Sequence, residues 1–399
     1  MAGRSLSHTQ GRVPFYRDVK VLAILAQIAF VIFLGLFFWF LYSNMISGLR
    51  RSNIPLGFDF LRLTAGFAIS ESAIPYQPTD TYARALLVGI VNTLRVSVIG
   101  IILATLLGLL VGIGRLSSNW LLRTVAGSYV EIIRNTPLLV QLIFWYIAVI
   151  LKLPRVRDGL GIPGVVIASN RGLALAWPRA GGSFGAWQPW LLGALAAGIL
   201  VYIWRRRQLA HADRPGVALP WALLAAILIA LGGALVASIT TGTTPLVLDR
   251  PQMGGFNLRG GTTLGPEFFA LLLGLTIYTA SFIAEIVRAG IQSVAKGQRE
   301  AARALGLTPG LTLRLVIFPQ ALRVIIPPLT NQYLNLTKNS SLGIAVGYFD
   351  LFNVSNTIGN QSGRSVQVIV ILMLSYVTLS LFTSLLMNAY NRRIRLVER

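Results

Sequence analysis

The chain is dominated by apolar runs that are long enough to cross a lipid bilayer, and these runs constrain the fold more than any motif. A helix needs about 20 apolar residues to cross the hydrocarbon core. Only 12% of the 399 residues are charged, about half the share found in soluble domains. The sequence therefore predicts an all-α, polytopic membrane protein with about eight transmembrane helices. The predicted spans are residues 21–42, 86–113, 124–150, 189–204, 219–239, 266–290, 322–348 and 366–389.

The basic residues orient the spans. The formal net charge is +22, but the bases are dispersed beside apolar runs and form no polar module, so we expect contact with anionic lipid and no nucleic acid. Bases concentrate in cytoplasmic loops, and an even number of spans then puts both termini in the cytoplasm. The predicted cytoplasmic bases are Arg4, Arg12, Arg17, Lys20, Arg115, Arg123, Arg205, Arg206, Arg207, Arg214, Lys296, Arg299, Arg303, Arg314, Arg392, Arg393, Arg395 and Arg399.

The first span has two interpretations, a cleaved signal peptide and a retained anchor. Its apolar run of about 22 residues exceeds the 7 to 15 residues of the apolar region in a signal peptide. Bulky residues (Phe38, Trp39, Phe40 and Tyr42) stand where a cleavage site needs small ones. The pattern favours a retained anchor. Elsewhere, cysteine is absent and histidine occurs only as His8 and His211, so we expect no disulfide and no metal site. We also expect no cofactor and no catalytic residue in this chain.

Four segments follow along the chain. Residues 1–85 hold the cytoplasmic N-terminus, the extra first span and an external loop, and residues 86–150 begin a five-span core. Residues 151–264 are predicted to be an insertion of two spans with Gly-rich external segments. An even number of spans can be removed without changing the in–out orientation of the core spans. Residues 265–399 complete the core and contain a polar cytoplasmic segment at 293–319.

Two spans repeat the pattern Glu-x-x-Arg, as Glu131 with Arg134 and as Glu285 with Arg288. Residues three apart on a helix share a face, so each pair of charges can form an ion pair that lowers the cost of placing it near hydrocarbon. Two interpretations stay open: a structural ion pair at the membrane interface, and charges that line a translocation path or its inner gate.

The seventh predicted span is unusually polar. Pro327-Pro328 are expected to interrupt its helix, and Asn331, Asn335 and Lys338 recur at helical spacing on one face. An ammonium at mid-bilayer depth costs at least about 2.5 kcal/mol, so Lys338 should face protein, water or a ligand carboxylate. A polar contact between helices is the alternative. Asn339, Ser340 and Ser341 extend this polar set.

The segment 293–319 reads as two short helices separated by Gly306 and Thr308-Pro309-Gly310, the second from about 311 to 317. Such a segment can fill a groove on another protein, while a bare surface loop is the alternative. Glu300-Ala301-Ala302, Gly306, Val316 and Phe318-Pro319 resemble the EAA loop of binding-protein-dependent ABC importer permeases, with Val and Phe in place of the usual Ile and Leu.

Other motifs narrow the resemblance. Tyr129-Val130-Glu131 with Arg134 to Leu139, Phe282 to Gly290 with Gly297-Gln298, and Lys338 to Leu342 are similar to the histidine and glutamine permeases, a polar amino-acid subfamily. The extra first span and the insertion are similar to a permease subunit of broad-specificity L-amino-acid importers of proteobacteria. The resemblance implies the type I importer permease fold and a place in the bacterial inner membrane.

The resemblance also implies partners and roles. The partners would be a cytoplasmic ATP-binding subunit dimer, a second, paralogous permease subunit and a periplasmic amino-acid-binding protein. Glu300 and Gly306 would dock on the ATPase, with Ala301 and Ala302 as the packed face and Pro319 closing the motif. ATP hydrolysis would belong to the partner, since the chain has no Gly-x-x-x-x-Gly-Lys-Ser/Thr loop.

The mechanism that we expect is alternating access for an L-amino acid. Lys338 would bind the carboxylate, and Glu285 or Glu131 would bind the ammonium. An ion-gradient-driven secondary transporter and a structural membrane protein are the alternatives. The residues predicted to line the path are Lys338, Asn339, Ser340, Ser341, Asn335, Glu285, Glu131 and Arg134.

Overall fold

The computed structural model describes residues 19–52, 57–211, 218–254 and 257–394. Arg4, Arg12, Arg17, Arg214, Arg395, Arg399 and both chain termini lie outside these residues. The helices are α1 (Val19–Arg51), α2 (Tyr82–Gly114), α3 (Trp120–Arg134), α4 (Leu138–Ile143), α5 (Phe184–His211), α6 (Leu219–Thr241), α7 (Pro266–Gln292), α8 (Lys296–Ala304), α9 (Pro309–Thr312), α10 (Phe318–Asn339), α11 (Leu351–Ser362) and α12 (Ser365–Ile394).

Seven helical segments in the described part of the chain are long and apolar enough to cross a membrane, and a bent pair raises the number to eight. The bent pair is the predicted third span, 124–150. It is not one straight helix, because α3 and the helical segment Leu138–Lys152 meet at an angle of 106°. Pro137 supplies no N–H and disfavours a helical residue before it. The Gln141 side chain donates to the carbonyls of Ile133 (2.9 Å) and Thr136 (3.0 Å), which the break leaves open.

The predicted fourth span, 189–204, is longer in the structure, where α5 has 28 residues. Arginine is a good helix former, so α5 continues past its apolar run through residues 205–207. Pro189 lies inside α5 without ending it.

The prolines of the seventh span do not break it. α10 continues through Pro327 and Pro328, and its flanking residues Ile326 and Leu329 are buried. Tertiary packing therefore holds the helix together where two backbone donors are missing. The predicted second cytoplasmic helix, 311–317, is also not separate: α9 runs through a π-helical stretch, Leu313–Ile317, directly into α10.

The centre of the fold is the parallel pair α2 and α7. Small residues recur every fourth position on the contacting face of α2, at Gly100, Ala104, Gly108 and Gly112. A Cβ at Gly108 would lie 2.6 Å from Cβ of Ile283, and one at Gly112 would lie 2.8 Å from the carbonyl oxygen of Ala284. This stripe lets the two backbones approach closely, as is typical of helix pairs in lipid. α10 packs beside both helices.

The insertion contains short antiparallel strands that the sequence analysis did not predict. They are β1 (Leu160–Ile162), β2 (Val166–Ser169), β3 (Gly172–Leu175), β4 (Trp177–Ala180), β5 (Leu246–Asp249), β6 (Gln252–Gly254), β7 (Asn257–Arg259) and β8 (Thr262–Leu264). One sheet has the order β1-β2-β3-β8, and β4-β5 and β6-β7 are two-stranded ribbons. β3 thus pairs with a strand that follows α5 and α6 in the chain, so the stretch before α5 and the stretch after α6 form one unit.

Candidate coupling and translocation site

The short helix α8 presents two different faces. Ala302 is buried, with 3% of its surface exposed, whereas Glu300 and Ala301 are exposed. Successive helical residues point about 100° apart, so Ala301 and Ala302 lie on different faces of this helix. Leu305, at the end of the helix, is 81% exposed. The segment therefore projects a glutamate and a leucine away from the chain.

Gly306 ends α8 in a left-handed conformation, with φ at +75°. The N–H of Leu307 donates to the carbonyl of Ala302 (3.1 Å), and the N–H of Gly306 donates to that of Arg303 (2.9 Å). These two bonds are the pair that defines a Schellman motif. A residue with a Cβ is strained at this φ, so the glycine fixes the turn that carries the chain back toward the membrane. Thr308 then caps α9 through the N–H of Leu311.

Two side chains fasten α8 to the membrane helices. Arg299 Nη2 donates to the carbonyl oxygen of Ile291 (2.8 Å) in the last turn of α7. A guanidinium at the C-terminus of a helix also interacts favourably with the helix dipole. Gln320 Nε2 in α10 donates to Gln298 Oε1 (3.3 Å). Pro319 lies in the first turn of α10 and is exposed.

The two Glu-x-x-Arg pairs differ in the structure. The Glu285 carboxylate binds Arg288 on the same helix and also Arg115, which follows α2. Within the described residues Glu131 forms no ion pair with Arg134, so the ion-pair interpretation does not hold for this second motif. Arg134 lies instead over the ring of Phe282, with its Cζ 5.0 Å from the ring centroid. Glu131 is exposed on the surface of this chain.

The polar face of α10 is uncovered in this chain. Asn331, Asn335 and Lys338 are exposed, while Leu329 and Leu336 on the opposite side are buried. Among the described residues no ion pair joins Lys338 to a carboxylate. An amine and two amides at membrane depth therefore face outward from the chain, where lipid alone would leave them unsatisfied.

The residues after Lys338 are partly structural. Ser340 is fully buried, and its Oγ donates to the carbonyl oxygen of Thr337 (2.8 Å). Ser341 is half-buried, and its Oγ donates to the carbonyl oxygen of Lys338 (2.8 Å). Asn339 is half-buried. The structure thus brings Asn335 and Lys338 together on the open face and turns Ser340 into the core.

A polar cluster beside the loop that precedes α2 was missed by the sequence analysis. Arg95 Nη1 lies 2.8 Å from Glu71 Oε1, and the N–H of Gly265 donates to Glu71 Oε2 (2.8 Å). Arg95 also lies over the ring of Phe268, 4.3 Å from its centroid. Burial raises the pKa of Glu71, and Arg95 opposes that shift. The available signal was Arg95 itself, a lone base inside the apolar run 86–113.

Asp350 is a second missed residue. It is fully buried at the N-cap of α11, where Oδ1 accepts the N–H of Asn353 (2.9 Å) and Oδ2 accepts the hydroxyl of Tyr376 (3.3 Å). Burial raises the pKa of Asp350 to about 6, and these hydrogen bonds limit the rise. The carboxylate is held between α11 and α12.

Comparisons with known proteins agree with this architecture. Residues 216–396 match the family model described as the inner membrane component of binding-protein-dependent transport systems. The general L-amino acid transport system permease protein AapQ of Rhizobium johnstonii is 48% identical over 96% of this chain and 94% of its own length. The putative amino-acid ABC transporter permease protein YhdX of Escherichia coli is 46% identical over 94% of each chain.

A third relative is the glutamate/glutamine/aspartate/asparagine transport system permease protein BztB of Rhodobacter capsulatus, 41% identical over 96% of each chain. The crystal structure of an amino acid ABC transporter with histidines covers 78% of this chain and 95% of its own, with a TM-score of 0.47 and 23% identity. The predicted fold class, an all-α polytopic permease of the type I importer fold, is confirmed, with the strands confined to the insertion. Because these relatives match nearly its whole length, the chain belongs to the family of binding-protein-dependent ABC transport permeases.

Proposed function

We propose that this chain is the membrane-spanning subunit of an ATP-driven importer that moves L-amino acids across the bacterial inner membrane by alternating access. The observation that carries the proposal is the segment that projects Glu300 and Leu305 while Arg299 and Gln298 hold it against α7 and α10. An ion-gradient-driven transporter needs no such docking segment. The names of the relatives support an amino acid as the substrate.

Glu300, Ala301 and Leu305 form the docking face for a separate ATP-binding subunit, of which two copies act together. Leu305 supplies an apolar anchor and Glu300 a charged contact at the rim. Ala302 packs inside the segment, Gly306 fixes its turn, and Pro319 lies in the first turn of α10, where the segment joins that helix. The chain has no nucleotide-binding loop, so hydrolysis is assigned to the partner.

The translocation path runs along the open face of α10. Asn335 and Lys338 offer an amide and an ammonium to a substrate carboxylate, with Asn339 and Ser341 beside them. Glu131 is the better candidate for the substrate ammonium than Glu285, because two guanidiniums already bind Glu285. Arg134 borders Glu131, and Ser340 supports the backbone turn after Lys338.

A second, paralogous permease covers this open face in a heterodimer. The external ribbon of β4 and β5 exposes Trp177, Leu248 and Arg179, which suits contact with a periplasmic binding protein.

The chain divides into four segments. Residues 1–85 precede the core, residues 86–150 and 265–399 form the core, and residues 151–264 are an insertion. Both termini lie in the cytoplasm. The chain has no cysteine, so single cysteines at Thr243 and Gln298, labelled from opposite sides, test this orientation.

The first experiment reconstitutes the chain with an ATP-binding subunit, a second permease and a binding protein in liposomes. We expect ATP hydrolysis stimulated by amino-acid-loaded binding protein and abolished by Glu300→Lys or Leu305→Asp. Asp158→Lys, a charge reversal on an exposed residue outside the segment, serves as the control and should retain it. Uptake that follows a proton or sodium gradient without ATP would reject the importer.

The path is tested separately at Lys338. Lys338→Met should lower uptake at least tenfold while leaving assembly with the ATPase intact, since a buried charge-assisted bond contributes about 1.5 to 3 kcal/mol. Lys338→Arg should retain part of the uptake, and Lys152→Met, at an exposed external position, should retain all of it. Wild-type uptake by Lys338→Met would remove this residue from the path but leave the coupling segment untouched.

A further inference from the structure

The inserted hairpin of α5 and α6 carries two grooves of similar size and different chemistry. The helices are antiparallel: Trp187 Nε1 donates to the carbonyl oxygen of Ala230 (2.8 Å), and Arg205 lies against Trp221. One groove has a volume of about 370 Å³ and the other about 350 Å³. Both volumes lie in the range of small-molecule sites. Since both helices are long and apolar enough to span a membrane, the grooves open toward lipid.

The first groove has a charged mouth. Leu228 and Ala225 line one part of it, and Trp204, Trp221 and Arg205 line the end near the arginine run. The Cζ of Arg205 lies 5.4 Å from the centroid of the Trp221 ring. Tryptophan is enriched at the level of lipid headgroups, so the paired tryptophans put this mouth at the membrane interface.

The Arg205 guanidinium is fixed in position and still has N–H donors available for a ligand. The stacking on Trp221 and a hydrogen bond from Nη1 to Gln208 Oε1 (2.9 Å) fix the guanidinium, and among the described residues no carboxylate pairs with it. A guanidinium has five N–H donors, so several remain for a further ligand. Arginine binds phosphate oxygens in a bidentate manner.

The second groove provides a comparison within the same hairpin. Its lining includes Gly198, Tyr202, Ala222 and Ala226 and contains no charged residue. It can accept an acyl chain but offers no cation for a headgroup. The difference between the two grooves is therefore the guanidinium at the mouth of the first.

We propose that the groove closed by Trp204, Arg205 and Trp221 is a binding site for one anionic phospholipid. The acyl chain lies over Ala225 toward Leu228, and the phosphate binds Arg205. The neighbouring bases Arg206 and Arg207 are exposed and contribute general attraction to anionic lipid. The site gives the insertion a role of its own, in selecting lipid at the membrane interface.

Native mass spectrometry of the purified chain with phosphatidylglycerol or phosphatidylcholine tests the site. We expect a phosphatidylglycerol adduct that survives activation better than phosphatidylcholine. Arg205→Gln should lower this preference about fivefold, and the adjacent Arg206→Gln less than twofold. Ala225→Phe, which fills the groove and keeps the guanidinium, should also remove the adduct, whereas Leu195→Phe in the second groove should not.

Several results would overturn the proposal. Equal losses in Arg205→Gln and Arg206→Gln would mean diffuse attraction by the arginine run. Retention of the adduct by Ala225→Phe would mean a headgroup contact without a groove. The absence of any headgroup preference in the wild-type chain would reject the site outright. Unchanged phosphatidylcholine binding by the two glutamine variants checks that they are folded.

Discussion

Arg299 of α8 donates to the carbonyl oxygen of Ile291 at the end of α7, across 2.8 Å. A short helix outside the membrane is thereby tied to the helix at the centre of the fold. The bond joins the segment that we propose to dock on the ATPase to the helix that packs along α2.

Arg299→Ala should remove the bond between α8 and α7 and weaken the coupling of transport to ATP hydrolysis. Hydrogen bonds to charged groups contribute about 1.5 to 3 kcal/mol, so we expect about tenfold fewer amino acids transported per ATP hydrolysed, measured in liposomes. Arg303→Ala changes an exposed arginine of the same helix and should keep the ratio near wild type. A normal ratio in Arg299→Ala would show that the bond does not transmit motion.

Gly306→Ala should destabilise the coupling segment by about 1 to 2 kcal/mol, because alanine is strained at a φ of +75°. Gly306→Asn should cost less, since asparagine tolerates this conformation better. Gly297→Ala, at a helical position with open space around it, is the control. Hydrogen exchange of residues 296–312 measures the change, and equal protection in Gly306→Ala and Gly297→Ala would contradict the argument.

Gly108→Ala should separate α2 from α7. The added Cβ would meet Ile283 at 2.6 Å, and overpacking of this kind costs about 1 to 3 kcal/mol. Gly193→Ala in α5 has nothing within 4 Å, and it should be neutral or stabilising because alanine is the better helix former. The midpoint of thermal unfolding in detergent measures both variants. Similar midpoints for the two variants would argue against the close contact.

Asp350 should make stability depend on pH. Its pKa is raised to about 6 in the folded chain, above the ordinary value of about 3.9. The folded state therefore binds the proton more tightly, and this contribution to stability is present below pH 4 and is lost as the pH rises through about 6. A shift of this size corresponds to about 2 to 3 kcal/mol.

Asp350→Asn should remove that dependence, because asparagine keeps an N-cap acceptor and carries no charge. We expect the unfolding midpoint of the wild type to fall between pH 4 and pH 7 relative to that of the variant. Asp80→Asn, which changes a half-buried aspartate of the loop before α2, is the control and should keep the wild-type slope. An unchanged slope in Asp350→Asn would assign the dependence to another group.

The sequence predicted the spans well where an uninterrupted apolar run was sufficient to identify a membrane helix, as in α2, α6 and α7. It erred where a local breaker met tertiary packing. Pro327 and Pro328 lie in an unbroken helix because their neighbours are buried, whereas Pro137 marks a sharp bend whose open carbonyls are satisfied by Gln141. The same residue type gave opposite outcomes, and the sequence around it did not distinguish them.

The residues of the candidate site also fall into those that local sequence predicts and those that it does not. Glu300, Gly306 and the polar face of Lys338 were predictable, because helix breakers and charges at membrane depth are local features of a sequence. The pairing of Glu71 with Arg95 and of Glu285 with Arg115 was not, since these partners are far apart along the chain.

By itself, the sequence determined that this is a membrane-embedded helical permease with a polar, helix-forming segment at 293–319, because hydrophobicity, helix breakers and motifs are properties of consecutive residues. Only the tertiary structure decided which small residues let α2 meet α7, which glutamate is already neutralised and which face of α10 stays open. Those outcomes depend on distances between helices that sequence separation does not encode.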